Sequence, residues 1–93
     1  MYRVKNLTVN ATAQELTIAD GVESHYTIII TNTSNNKHIL VGRSDLSTTN
    51  YGIRIEHDSP PLILENMPWT DRLYAICEDP TSTAGVAVMI IER

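Results

Sequence analysis

Cysteine is nearly missing from this chain: Cys77 stands alone, so no intrachain disulfide can form. Whatever holds the fold together is packing, within the chain or against a partner. Positive charge is also scarce. Seven Lys and Arg against eleven Asp and Glu leave a net charge of -4, and no basic cluster exists that would neutralise consecutive phosphates, which argues against direct contact with nucleic acid. Long apolar runs are lacking too. Nothing approaches the ~18 to 20 apolar residues of a membrane span, and Met1-Tyr2-Arg3-Val4-Lys5-Asn6 has no signal-peptide core. The chain is therefore expected to be made in the cytoplasm, with no membrane partner. Its sequons at Asn6, Asn10 and Asn32 read as strand-edge and turn residues rather than glycan acceptors. Helical periodicity is nearly absent, and neither a spaced glycine triplet nor a Gly-Lys-Ser phosphate loop occurs.

What remains is a series of short, β-branched apolar runs bounded by Asn, Asp, Gly, Ser or Pro, the signature of strands and turns. A length of 93 residues gives one domain, 1–93, and a hydrophobic share of 42% gives it a modest core that self-association would enlarge. Tyr2 to Val9 reads as an irregular first strand, with residues 1–5 free to extend as an N-terminal arm. Gln14 to Ala19 places Leu16 and Ile18 on one face before an Asp20-Gly21 turn. The strongest strand, His25 to Asn32, puts Tyr26, Ile28 and Ile30 on one face and Thr27, Ile29 and Thr31 on the other, which suits the interior of a sheet. Thr33 to Lys37 has the length of a hairpin into His38 to Gly42. After the polar loop Ser44 to Asn50, Tyr51, Ile53 and Ile55 share a face, so Tyr51 is expected in the core. Pro60-Pro61 pushes Leu62 to Glu65 to a sheet edge, and strands at Arg72 to Cys77 and Val86 to Ile91 follow. About eight short antiparallel strands at this spacing predict an all-β fold, a single small β-sandwich of jelly-roll-like or Ig-like type.

No residue set suits catalysis. A general acid or base needs a tuned group with a second group orienting it. His25 and His38 would meet only across the expected hairpin, where strand-edge polar residues explain both. Glu56-His57-Asp58 carries ligand chemistry, but consecutive strand residues point to opposite faces, and a solvated turn before Pro60 is the simpler reading. No metal, cofactor or enzyme activity is therefore expected. The Ser44 to Asn50 loop offers hydroxyls and a carboxylate to a sugar or an ion, yet the same residues cap turns; Gly42 and Gly52 flank it as points of unusual dihedrals or close backbone approach. Trp69, in a Met67-Pro68-Trp69 loop, is either an interface anchor or a lid over one end of the core.

The frame of an Ile-rich strand ending in Asn32, then Val41-Gly42-Arg43-Ser44-Asp45-Leu46-Ser47, Tyr51-Gly52-Ile53, Leu73-Tyr74-Ala75-Ile76 and a Val-rich last strand resembles small structural proteins of tailed bacteriophages. These are capsid decoration (cement) and head-fibre or tail accessory proteins. The resemblance spans Tyr26 to Ile91, with one departure: Pro60-Pro61 and Met67-Pro68-Trp69 stand where a Gly-rich turn is usual, so no binding loop is carried over. It implies a non-enzymatic virion protein on the capsid exterior, a homotrimer whose partner is the major capsid protein. The residues expected to make the contact come from the chain itself: Tyr2 and Arg3 in the N-terminal arm, Met67 and Trp69 in the loop. A glycan-binding β-domain of a tail or head fibre is the alternative.

Overall fold

The computed structural model describes residues 2–16, 25–68 and 72–92. Among them are eight strands, namely β1 (Tyr2–Val9), β2 (Gln14–Glu15), β3 (Tyr26–Asn32), β4 (Ile39–Gly42), β5 (Ile53–Ile55), β6 (Leu62–Met67), β7 (Tyr74–Cys77) and β8 (Ala84–Glu92). They form two four-stranded sheets, in the orders β1-β8-β3-β6 and β2-β7-β4-β5. All ladders are antiparallel. First pairs with last, second with seventh, third with sixth and fourth with fifth. This nested order is an eight-stranded jelly roll, and it differs from the Ig arrangement, in which the first two strands are neighbours.

Period-two alternation explains which side chains meet in the middle. The β1-β8-β3-β6 sheet contributes Val9, Tyr26, Ile28, Ile30, Val86, Val88 and Ile90, while the facing sheet contributes Ile39, Val41, Ile55, Ala75 and Cys77. Cys77 is a buried free thiol, as the apolar run around it predicts. In β1, Leu7 and Val9 lie on the core side and Val4 on the opposite face; the strand that looked irregular is regular once Val4 is counted outward. From Tyr2 onward the expected N-terminal arm is the first half of this strand, with Tyr2 opposite Ile91 and Arg3 opposite Ile90.

The connection from β3 to β4 corrects an expectation. No hairpin forms there, because β3 already lies between β8 and β6 and β4 belongs to the other sheet. The segment after β3 is an arch between the layers, held by the one buried polar side chain found among the described residues. Asn32, 6% exposed, donates through Nδ2 to the carbonyls of Lys37 at 2.7 Å and Ile55 at 3.1 Å. Its Oδ1 accepts from the backbone N–H of Ser34 at 3.0 Å and from the Ser34 hydroxyl.

Of the strand expected over Gln14 to Ala19, the described part is the two residues of β2 followed by Leu16, which is buried and whose N–H donates to the Leu73 carbonyl at 2.7 Å. Ile18 and the Asp20-Gly21 turn lie outside the described residues. β6 is an edge strand, as its prolines require. It carries an irregularity opposite Thr27, between the pairs Ile28↔Leu64 and Tyr26↔Met67. There Asn66 adopts a positive φ of 58°, a conformation Asn tolerates better than most residues.

Candidate interaction surface

The outer face of the β1-β8-β3-β6 sheet presents an apolar row across all four strands. Val4 is paired with Met89, Met89 with Ile29, and Ile29 with Ile63. Each is the outward member of an alternating strand whose inward members fill the core. Val4 is 56% exposed, Ile63 55%, and Ile91 in the adjacent row 40%, while Met89 and Ile29 are half-buried. Isolated surface apolar residues need no explanation, but a contiguous row is the kind of patch that marks an association site. Thr27 and Thr31 flank Ile29 on β3, and Asn6 and Thr8 continue the outward side of β1, so the row has a polar border.

Of the four residues expected to contact a partner, Arg3 and Met67 are placed away from this row. Arg3 and Lys5 alternate with Val4 and so share the side of β1 occupied by Leu7 and Val9; Met67 packs against the main core. Tyr2 has its backbone in the β1–β8 ladder, and Trp69 lies outside the described residues. The signal for the row was nonetheless in the chain, in the apolar second face of the Ile28-Ile29-Ile30 run and the out-of-phase Val4 and Ile63. What aligns them is register, which no single segment encodes.

A second feature is the loop between β4 and β5. Leu46 tucks beneath it onto Leu40 and Ile76, with Ala13 and Tyr74 alongside, making a small cluster on the outside of the second sheet. Gly42 allows this closeness, since a Cβ there would meet Leu46 Cδ1 at 3.1 Å. The loop's polar groups are largely spent on one another. Ser47 and Asn50 exchange backbone hydrogen bonds at 3.0 and 3.2 Å, and Asn50 Nδ2 donates to the Asp45 carbonyl at 3.3 Å and carboxylate at 3.1 Å. A shallow cleft of about 270 Å³ remains, bordered by Gly42, Arg43, Asp45, Asn50, Tyr51 and Gly52. Tyr51 stands at its lip, 46% exposed, and not in the core as alternation suggested. The strand begins only at Ile53, and the Gly52 N–H donates to the Val41 carbonyl at 2.9 Å, so the chain bends before the alternation can extend back to Tyr51.

At the opposite end of this sheet lies a set of ion pairs. Arg54 donates through Nε to Glu78 and through Nη1 to Glu56 at 3.0 Å, and Lys37 meets Asp79 at 3.1 Å. The bond to Glu78 raises the Arg54 pKa, and the same bond lowers that of Glu78. Asp79 is held well below the ordinary carboxylate range, first by the Thr81 backbone N–H and hydroxyl, then by Lys37 and Ser82. Glu56, His57 and Asp58 do not converge: Glu56 is engaged by Arg54, and its carbonyl accepts from the Ser59 N–H in a turn. Among the described residues no group of three or more His, Cys, Asp or Glu is arranged around a common point. Without the expected hairpin, His25 and His38 are not brought together by strand pairing; the ring beside His38 is that of His57.

No helix among the described residues is long and apolar enough to cross a membrane. Comparison with known protein families, with curated proteins and with solved structures found no match.

Proposed function

We propose that this chain is a non-enzymatic virion structural protein, a capsid decoration protein that binds the outside of a phage head. In this reading the outer face of the β1-β8-β3-β6 sheet docks on major capsid subunits and strengthens their contacts. The observation that carries the reading is the row Val4, Met89, Ile29 and Ile63, an apolar stripe on a scaffold architecture common among viral shell and lectin domains.

Magnitudes favour a many-copy role. Burying one such side chain fully is worth about 1.5 to 3 kcal/mol, so a partly exposed row supplies roughly 4 to 8 kcal/mol. Association itself costs about 4 to 15 kcal/mol. A single copy would therefore bind weakly. A homotrimer that engages several capsid subunits at once converts the second and third contacts into intramolecular ones, and avidity follows without new contacts. The acidic net charge of -4 would complement a basic patch on such a partner and disfavours contact with DNA.

The test is co-sedimentation of the purified protein with capsid shells that lack it. Wild type is expected to saturate the shells, and the pair Val4→Asp with Ile63→Asp to lose occupancy by about a hundredfold while keeping its thermal midpoint. Equal binding by the variant, or no binding by wild type, removes the proposal. The exposed Tyr51 beside Arg43 in the β4–β5 cleft favours a second reading, a glycan-binding fibre domain. Saturable glycan binding that Tyr51→Ala abolishes, with no affinity for shells, would select it.

A further inference from the structure

Ile39 opens β4 and Ile55 closes β5, and the two are paired. The residues just beyond them, His38 and His57, therefore sit at the same end of the ladder. Their rings lie 5.5 Å apart between centroids and are tilted by 44°. In each ring Nδ1 is buried and has no hydrogen-bonding partner. One such nitrogen would be unusual; two on adjacent rings form a pattern, because a buried unsatisfied polar atom costs about 1 to 3 kcal/mol. The rings do not satisfy each other, since an N–H···N bond between them would itself count as a partner.

We propose that His38 and His57 form a two-imidazole clip for a divalent transition-metal ion of the zinc, nickel or copper class. The donor chemistry selects that class: neutral imidazole nitrogen suits these ions, whereas magnesium and calcium take oxygen ligands. The spacing agrees. A metal–nitrogen bond of about 2.0 to 2.1 Å, with the ring centre roughly 1 Å further out, puts the centroids of two imidazoles on one tetrahedral ion ~5 Å apart.

The surroundings also suit a cation. Glu56 and Asp58 flank His57 along the chain, and the Glu78 N–H donates to the His38 carbonyl at 3.0 Å, which brings Glu78 and Asp79 to the same end of the sheet. Their cationic partners, Arg54 and Lys37, are already held in ion pairs with Glu56, Glu78 and Asp79. No third His, Cys, Asp or Glu ligand converges here among the described residues, so the two imidazoles are the protein's whole contribution to the clip. A proton competes for the same lone pairs, so affinity falls as the medium is acidified.

Calorimetric titration of the purified, metal-free chain with ZnCl2 and NiCl2 tests the clip. Wild type is expected to bind one equivalent, His38→Ala and His57→Ala each to bind at least about tenfold more weakly, and His25→Ala to bind within twofold of wild type. Long-range 1H–15N spectra of wild type provide a readout that does not depend on any variant folding: zinc should move the Nδ1 signals of His38 and His57 and leave those of His25 in place. Undiminished binding by the double variant His38→Ala/His57→Ala, unmoved Nδ1 signals, or no binding at all would overturn the proposal.

Discussion

Asn32 shows how much one amide can hold. It ends the Ile-rich strand β3, and through Lys37 and Ile55 it ties the arch after β3 to the far sheet. Replacing it with Ala takes this donor from the Ile55 carbonyl, leaves the Lys37 carbonyl with the Ser34 hydroxyl at 2.7 Å, and removes the acceptor of the Ser34 N–H. The expected cost is about 2 to 4 kcal/mol, a large share of the ~5 to 15 kcal/mol that keeps such a domain folded. Asn32→Asp should cost at least as much, because the carboxylate can donate to neither carbonyl. Urea denaturation measures both, and a loss below about 1 kcal/mol would show that water replaces the amide. That a strand should end in Asn is legible in the sequence; that this Asn spans two layers is not, since its partners lie 5 and 23 residues away. Tyr51 teaches the converse. Its spacing from Ile53 and Ile55 is that of a shared face, and only the bend at Gly52 turns it out to solvent. His57 gave no hint of its neighbour, because the ring it meets sits across a strand pair.

Elements divide in the same way. β3, β7 and β8 are readable from alternation and β-branched content, and β6 from the prolines before it. The β3–β4 link failed as a hairpin because turn length alone does not say whether the next strand joins the same sheet. The turn from β7 to β8 is local and therefore easier to test. Asp79 accepts from the Thr81 N–H at 3.0 Å and hydroxyl at 2.8 Å and from the Ser82 hydroxyl at 3.1 Å, while its carbonyl takes the Ser82 N–H at 3.1 Å. Because the folded chain holds its carboxyl below the ordinary value of 3.8, the unfolded chain takes up the proton first as pH falls. The turn's stabilisation is therefore whole above about pH 4 and drains away below it; Glu78, lowered by Arg54, adds in the same direction. Asp79→Asn should have a lower urea midpoint than wild type at pH 6, with the gap closing towards pH 2. A gap that does not change with pH would assign the effect to packing instead of charge.

For the whole molecule, the all-β class and the two-layer form follow from strand count and spacing, but strand order does not. Alternation assigns faces and leaves neighbours open, and the apolar row exists only through neighbours. Exposure at a chain's start or in a loop can be guessed from one segment, whereas this row needs the register of four. The same nested order governs how the two proposed sites are separated. The apolar row belongs to one sheet and the histidine pair to one end of the other, so substitutions at either can be combined with little coupling.

The pairing of the first strand with the last also has a consequence in time. A ribosome delivers Tyr2–Val9 about 75 residues before it reaches Ala84–Glu92, yet among the described residues β1 has no other ladder and β8 is what joins it to β3. During synthesis only the β4–β5 ladder can close early between chain neighbours; the rest must wait. Chains arrested before Ala84 should stay open to protease, and the released chain should become resistant within milliseconds to seconds, the range of folds built from distant contacts. Resistance in the arrested chains would mean that the second sheet organises alone. Otherwise each copy carries its first strand unpaired until Ala84–Glu92 has been made.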